Sequence, residues 1–245
     1  MIHRFFVASN YINPPNVHIE DEIAHQIRTV LRLRPGDEII VLDNSGIEWQ
    51  VRLTEVGKKG VQGQIEAQRQ AQGEPRVHLN LYQGVLKGQK FEWVLQKGTE
   101  LGVSTFTPTL CQRSVVRDLD ALAKKETRWR QIIREAAEQS GRGKLPQLGQ
   151  AQSFETAIRQ VQSGTFMIMP WEEAGGEPLK QVLSRVETGN IALFIGPEGG
   201  FTADEARLAG EAGAKLVALG PRILRAETAG LAACAAILYE LDEWR

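Results

Sequence analysis

Two glycine-bearing segments near the C-terminus have the residue types and spacing of a ligand site. They are Ile195-Gly196-Pro197-Glu198-Gly199-Gly200-Phe201 and the run from Leu219-Gly220-Pro221-Arg222 to Ala229-Gly230. Each follows a short apolar run that predicts a β-strand, residues 191–194 and 216–219, and each precedes a predicted helix. Because glycine lacks a Cβ, its backbone can take a positive φ and approach a ligand closely. The sequence therefore predicts one pocket built from both turns, with two ordinary tight turns as the alternative.

The helix after the first turn carries its own start signal. Thr202-Ala203-Asp204-Glu205 has capping-box spacing, with Thr202 as N-cap and Glu205 at position N3. Gly199 and Gly200 are therefore expected just before a capped helix, where a Cβ would intrude on a bound ligand. The chain has no G-x-x-x-x-G-K-[ST] motif and no G-x-G-x-x-G after a strand. These absences argue against a P-loop nucleotide site and against an NAD-dependent oxidoreductase.

Composition is that of a globular protein. The chain has 245 residues, of which 42% are hydrophobic and 24% charged. No apolar run reaches about eighteen residues and no signal-peptide core is present, so we expect a soluble cytoplasmic protein without a membrane span. Cys111 and Cys234 are too far apart for a C-x-x-C pair, and the histidines do not cluster with cysteines. The sequence predicts no metal site and no disulfide.

Charge is distributed unevenly. The net charge is −1, yet residues 113–144 carry an excess of four positive charges. Such a stripe can contact RNA phosphates, or it can be a solvated helix face with i,i+4 ion pairs. Both interpretations stay open from the sequence.

A polar stretch at residues 68–75, with Gly and Pro, predicts a linker between two different patterns. Before it, strand-like runs and one helix around residues 24–33 predict a small β-barrel; the runs are 5–7, 38–42, 49–53 and 61–65. After it, strands and helices alternate, which predicts an α/β domain with a mainly parallel sheet. The predicted strands are 77–82, 106–110 and 166–169, and the predicted helices are 91–101, 119–139, 154–161, 179–186 and 227–244.

Four motifs, in order along nearly the whole chain, resemble the ribosomal RNA small-subunit methyltransferase E family of the SPOUT class. They are His3–Val7, the Lys87–Val103 segment, Glu138-Gln139-Ser140-Gly141-Arg142, and GPEGGF followed by LGPRILRAETA. The resemblance implies a PUA-like RNA-binding β-barrel at residues 1–72 and a SPOUT methyltransferase domain at residues 73–245. It also implies a deep trefoil knot in the second domain and a homodimer. Small residues around Ala229, Ala233 and Ala236 of the last helix fit a dimer seam, or internal packing against the sheet.

The resemblance also implies S-adenosyl-L-methionine as cofactor and N3 of a uridine in small-subunit (16S) ribosomal RNA as methyl acceptor, without a metal. The implied cofactor-binding residues lie in and beside the two glycine turns: Leu193, Ile195, Gly196, Pro197, Glu198, Gly199, Gly200, Leu219, Gly220, Arg222, Ile223, Leu224, Arg225, Glu227, Thr228 and Ala229.

Methylation at N3 also requires that the N3 proton leave, so a base or a nearby cation would accelerate attack. The cation candidates are Arg4, Arg142 and Arg225, Glu138 is a candidate base, and Gln139 can bond a uracil carbonyl. Ordinary ion pairs are the alternative for each charged residue. At the level of the whole protein, the alternative is an RNA-binding ribosome assembly factor without chemistry.

Overall fold

The computed structural model describes residues 2–116, 118–172 and 176–244, and the chain forms two compact units. The N-terminal unit takes the chain up to Glu74 together with Ala137–Leu145. The C-terminal unit takes Pro75–Ala136 and the chain from Pro146 onward.

The N-terminal unit is built on one six-stranded sheet in the order β1-β4-β5-β6-β3-β2. Only the β1–β4 pair is parallel. Apolar side chains on one face of the sheet and the inner side of α1 make its core. The elements are β1 His3–Phe6, β2 Ile12–Asn13, β3 Asn16–Ile19, α1 Asp21–His25 with a π-helical turn at Gln26–Val30, β4 Glu38–Leu42, β5 Ile47–Val56 and β6 Val61–Gln70.

Two details of this unit differ from the sequence-based expectation. The hairpin of β2 and β3 was not predicted, because its strands are short and partly polar. β6 continues to Gln70, so the predicted linker at residues 68–75 begins inside a strand. Those last residues are polar and exposed, yet they pair in register with β5.

The C-terminal unit confirms the predicted α/β fold with a parallel sheet. The strand order is β10-β8-β7-β13-β11-β14-β12, all pairs are parallel, and β9 also pairs with β8. The elements are β7 His78–Gly84, α2 Lys90–Leu101, β8 Thr105–Leu110, α3 Leu119–Ala123, α4 Glu126–Ser140, β9 Gln147–Leu148, β10 Gln152–Ser153, α5 Phe154–Arg159, β11 Phe166–Pro170, β12 Glu177–Pro178, α6 Leu179–Leu183, β13 Asn190–Ile195, α7 Ala203–Glu211, β14 Lys215–Ala218 and α8 Ala226–Glu240. The last four residues of α4 belong to the N-terminal unit.

The single helix predicted over residues 119–139 is wrong, because the structure has two. Asp118 caps α3 by accepting hydrogen bonds from the amides of Asp120 (2.9 Å) and Ala121 (3.2 Å). The helix ends where the Lys125 amide donates to the Leu122 carbonyl, an i→i−3 bond that closes the last turn. The second helix then buries Trp129 against the ring of Phe91, with ring centroids 4.6 Å apart.

The order of strands decides where a site can form. β13 lies between β7 and β11, and β14 lies between β11 and β12, so two late strands are inserted between earlier ones. Parallel strands end at the same edge of a sheet, and ligands of open α/β sheets bind outside that edge. The residues after β11, β13 and β14 are therefore neighbours, although they are far apart in sequence.

Candidate functional site

A cavity of about 690 Å³ opens at the carboxyl edge of β11, β13 and β14. Both glycine turns line it, and so does a segment after β11 that the sequence did not indicate. The volume is in the range of small-molecule and cofactor sites. The lining residues are Lys90, Pro170–Glu172, Ile195–Glu198, Gly200, Phe201, Val217–Glu227 and Ala229.

The first glycine turn is a tight turn that leads into a capped helix, as predicted. Gly200 has a φ of +68°, which an L side chain rarely adopts, and its amide donates to the Pro197 carbonyl at 2.9 Å. The capping box of α7 is present: Thr202 Oγ1 accepts from the Glu205 amide at 3.2 Å, and Glu205 accepts from the Thr202 amide at 2.9 Å.

Three further contacts hold this turn, and none of them was predicted from the sequence. Glu198 accepts a hydrogen bond from the Lys87 amide at 2.9 Å. Arg113 Nη1 donates to the carbonyls of Gly199 (3.1 Å) and Phe201 (3.2 Å), which fixes the side of the turn away from the cavity. The second oxygen of the Glu205 carboxylate accepts from the Gln112 amide at 2.8 Å. Gln112 and Arg113 follow the end of β8, so their place at a strand's carboxyl end was the available signal.

Gly199 itself does not line the cavity. A Cβ at this position would lie 2.9 Å from the Arg113 Cβ and 3.2 Å from its carbonyl oxygen. The expectation that a Gly199 side chain would meet the ligand first is therefore wrong: it would meet Arg113. Of the predicted cofactor-binding residues, Leu193, Gly199 and Thr228 are absent from the cavity wall.

The second glycine turn leaves open space and unused backbone amides. Gly220 has a φ of +111°, and a Cβ there would find no atom within 4 Å. α8 begins just after it, and its N-cap Arg225 makes no side-chain cap. The first intrahelical bond runs from the Ala229 amide to the Arg225 carbonyl at 2.8 Å. Within the described residues, the amides of Ala226 and Thr228 consequently have no acceptor and can bind one from a ligand, whereas the Glu227 amide bonds its own carboxylate.

Two buried side-chain atoms at the cavity have no partner within the described residues. Glu227 pairs with Lys90 at 3.2 Å, but its Oε2 is buried without a hydrogen bond. Burial alone would raise the pKa of Glu227; its own backbone amide and Lys90 outweigh burial and hold that pKa below its usual value. The Trp171 indole Nε1 is likewise buried and unsatisfied. A buried polar atom without a partner is costly, so both atoms fit a ligand rich in donors and acceptors.

Of the five residues that were candidates for the chemistry, all but Arg225 lie in the N-terminal unit, around the segment Ala137–Leu145. Arg4 is ion-paired with Glu48, and its Nη2 lies 3.5 Å from the Gly141 carbonyl oxygen. Arg69 also binds Glu48, at 2.9 Å. Burial would raise the pKa of Glu48, but the hydrogen bonds from both arginines hold it below its usual value.

Arg142 is buried and has a carboxylate partner. Its Nε and Nη2 donate to the two oxygens of Glu74 at 3.2 and 2.8 Å, and the side chain is only 4% exposed. Glu138 accepts from the Phe6 amide at 2.9 Å, whereas Gln139 is exposed. These contacts give Arg4 and Arg142 a structural ion-pair role, which was the alternative for both.

The basic stripe at residues 113–144 shows ion pairs of the kind that a solvated helix would have. Arg130 pairs with Glu126 at 2.6 Å, and Arg128 pairs with Glu92 at 2.7 Å. Both arginines are more than half exposed, so each pair contributes little to stability.

The two cysteines are single, buried side chains. Cys111 and Cys234 are buried free thiols; burial raises the pKa of Cys111, and that of Cys234 to about 12. Among residues 2–116, 118–172 and 176–244, no group of three His, Cys, Asp or Glu side chains could hold a metal ion. In the same residues, no helix is both long and apolar enough to cross a bilayer.

Comparison with known proteins agrees with this geometry. A family profile described as an RNA methyltransferase domain matches residues 73–238, and one described as an RNA methyltransferase PUA domain matches residues 19–66. A ribosomal RNA small subunit methyltransferase E from Bacillus subtilis is 36% identical, over 93% of this chain and 91% of that protein. A protein of the same name from Synechocystis is 32% identical, over 97% and 77%.

A solved structure extends the comparison to the whole chain. The crystal structure of a ribosomal RNA small subunit methyltransferase E from Neisseria gonorrhoeae, bound to S-adenosyl methionine, has a TM-score of 0.88 and 32% identity. The match covers 98% of both chains. The resemblance found in the four sequence motifs is therefore confirmed, and the chain belongs to the ribosomal RNA small subunit methyltransferase E family of RNA methyltransferases.

Proposed function

We propose that this protein transfers the methyl group of S-adenosyl-L-methionine to N3 of a uridine in small-subunit (16S) ribosomal RNA. The observation that carries the proposal is the cavity at the carboxyl edge, with the uncapped start of α8 and the unsatisfied Glu227 Oε2 and Trp171 Nε1. Family membership decides against a non-catalytic assembly factor and against an NAD-dependent oxidoreductase. We also propose that it acts in the cytoplasm, on its ribosomal substrate.

The residues present fit the cofactor. The amides at the start of α8 suit acceptor atoms of the adenine ring or the carboxylate, and Glu227 Oε2 suits a hydroxyl or amino donor. Gly200 and Gly220 leave room for a ligand close to the backbone. When bound, the cofactor supplies an activated methyl group, which forms a bond to N3 as its bond to sulfur breaks and the electron pair returns to sulfur.

The protein's remaining task is to orient the uracil and to help the N3 proton leave. Arg225, on the cavity wall, is placed to stabilise negative charge that develops on the ring. We propose Gln139 as the donor to a uracil carbonyl and Glu138 as the acceptor of the N3 proton. We propose Arg4 and Arg142 as cations that stabilise the uracil anion. Because both arginines have carboxylate partners, we assign them to positioning the 137–145 segment as well.

We further propose that the C-terminal unit contains a trefoil knot. The support is that β13 and β14 both insert between strands that precede them in the chain. Residues 1–72 are proposed to bind RNA, and residues 73–245 to catalyse transfer and to dimerise.

A homodimer is proposed to form through α8. Ala233 is buried in the unit's own core, so it serves internal packing. Ala232, Ala236 and Tyr239 are exposed and recur on one helical face, and Tyr239 is 68% exposed. That face is the one we assign to the partner copy.

The test is mass spectrometry of nucleosides from small ribosomal subunits of a strain that lacks this protein, before and after incubation with protein and methyl-deuterated cofactor. We expect one deuterated 3-methyluridine per subunit. If the protein binds the cofactor in a calorimeter but produces no methylated uridine, the assigned reaction is wrong. If another base is methylated, uridine N3 is not the acceptor.

A further inference from the structure

A short exposed segment borders the cavity between Gly220 and α8. We name Pro221–Arg225 the pocket lip; all five residues line the cavity. Ile223 is 85% exposed, the most exposed large apolar side chain in the part of the chain that the structure describes. Leu224 is half-buried, whereas Arg222 and Arg225 are exposed. An aliphatic side chain so exposed makes a poor wall for a cofactor, although the sequence placed it there.

The two arginines of the pocket lip differ from most arginines in this protein. Arg4, Arg52, Arg128 and Arg142 each have a carboxylate partner. Among the described residues, neither Arg222 nor Arg225 forms an ion pair. Glu227, the acidic residue next along the chain, is paired with Lys90 instead. Two exposed guanidinium groups without an ion pair among the described residues therefore flank an exposed aliphatic side chain at the mouth of the cavity.

We propose that the pocket lip is an RNA-binding surface: Ile223 packs against the bases beside the acceptor uridine and Arg222 binds a flanking phosphate, while Arg225 contacts the uracil ring itself. This inference rests on the proposed function. A base that is to be modified must leave its stack, and proteins that unstack nucleic acid insert apolar side chains between bases. Guanidinium groups bind phosphate with two parallel hydrogen bonds, which fixes the strand while the base is displaced.

The test compares two lip variants with matched controls in the same unit. Ile223→Ser is paired with Val115→Ser, since Val115 is also an exposed branched aliphatic residue (64%) but lies outside the cavity wall. Arg222→Gln is paired with Lys215→Gln, an exposed cation that also lies outside the wall. For each protein we would measure cofactor Kd by calorimetry, solution mass, kcat/KM on unmethylated small subunits, and subunit binding with S-adenosylhomocysteine present.

For Ile223→Ser we expect cofactor Kd within about twofold of wild type and subunit binding weakened about 5- to 100-fold, the range for losing one base contact. Arg222→Gln should lower the slope of log binding constant against log salt by about one. The controls should match wild type.

Each other outcome overturns the inference. If the lip variants lose cofactor affinity as much as subunit binding, the pocket lip binds the cofactor. If their solution mass changes, the pocket lip contacts a second copy of the chain. If subunit binding is unchanged, the pocket lip does not contact RNA. Because subunit binding is measured apart from methyl transfer, a wild-type protein that binds subunits without methylating them would refute the proposed function and still test the pocket lip.

Discussion

Gly220→Ala tests whether Gly220 is required for its positive φ alone or also because the cofactor occupies the space beside it. Gly220 has a φ of +111°, and a Cβ there would meet no protein atom within 4 Å. The variant therefore fits the empty protein sterically, and its structural cost is backbone strain of about 1–2 kcal/mol. If the cofactor occupies the space beside this turn, the added methyl group also displaces a ligand.

Gly164→Ala is the matched control, because Gly164 also has a positive φ but lies away from the cavity. Gly164 lies in the same unit, has a φ of +83°, and would also find no atom within 4 Å of a Cβ. It is absent from the cavity wall. Both variants should lose a similar amount of stability, about 2–4 °C in Tm for each kcal/mol in a domain of this size. Only Gly220→Ala should also lose cofactor affinity.

The expected loss follows from overpacking. One methyl group forced into an occupied contact costs about 1–3 kcal/mol, which is about a 5- to 150-fold rise in Kd. Calorimetric titration with S-adenosyl-L-methionine measures it, and thermal unfolding of both variants measures the strain. Equal Tm losses together with a wild-type Kd for Gly220→Ala would show that the cofactor does not approach this turn.

Three further predictions follow from single contacts. Arg113→Ala should raise cofactor Kd about tenfold with a small change in Tm, because the turn loses two charged hydrogen bonds. Partial rescue of the Kd by added guanidinium would show that Arg113 positions the turn, and an unchanged Kd would show that it does not. Ala236→Arg should give the mass of a single chain by light scattering at micromolar concentration, with the cofactor Kd unchanged. A wild-type mass would show that the dimer does not form through this face of α8. The folded-state pKa of Glu48 is depressed, so the stability that its ion pairs contribute is present above the ordinary glutamate pKa of 4.5 and is lost as pH falls through the folded pKa. Glu48→Gln, which leaves Arg4 without its carboxylate partner, should therefore cost about 3 kcal/mol at pH 7, and this difference should shrink in acid.

The parts of the site that sequence could predict are those set by neighbouring residues. The capping box at Thr202 and Glu205 is a contact across three positions, and the structure has it as predicted. The glycine turns were found for the same reason, since in each of them a strand, one or two glycines and a helix start lie within about a dozen residues. One cavity built from both turns was also predicted, and the structure has it; the strand order that brings the two turns together was not predicted.

The parts that sequence could not predict arise from strand order and tertiary contacts. Trp171 lines the cavity because β11 lies between β13 and β14, and nothing near residue 171 indicates that position. Lys90 and Arg113 reach the site from the ends of other elements. The break between α3 and α4 was missed because the apolar spacing on both sides fits one helix. What ends α3 is the Lys125 amide bond to Leu122, which apolar spacing does not reveal.

Pairing also changes how the arginines of this protein are ranked as RNA ligands. An arginine such as Arg142, 4% exposed and bonded to both oxygens of Glu74, can bind phosphate or a uracil anion only if it gives up or shares that carboxylate. Losing the partner of a buried charge is costly, so the pair resists exchange. Arg222 and Arg225, exposed and without a carboxylate among the described residues, have no such contact to lose. At the level of sequence, Arg4, Arg142 and Arg225 were equal candidates for the cation, and Arg222 was expected only to bind the cofactor. The carboxylate partners of Arg4 and Arg142 now place Arg222 and Arg225 first for direct contact with RNA.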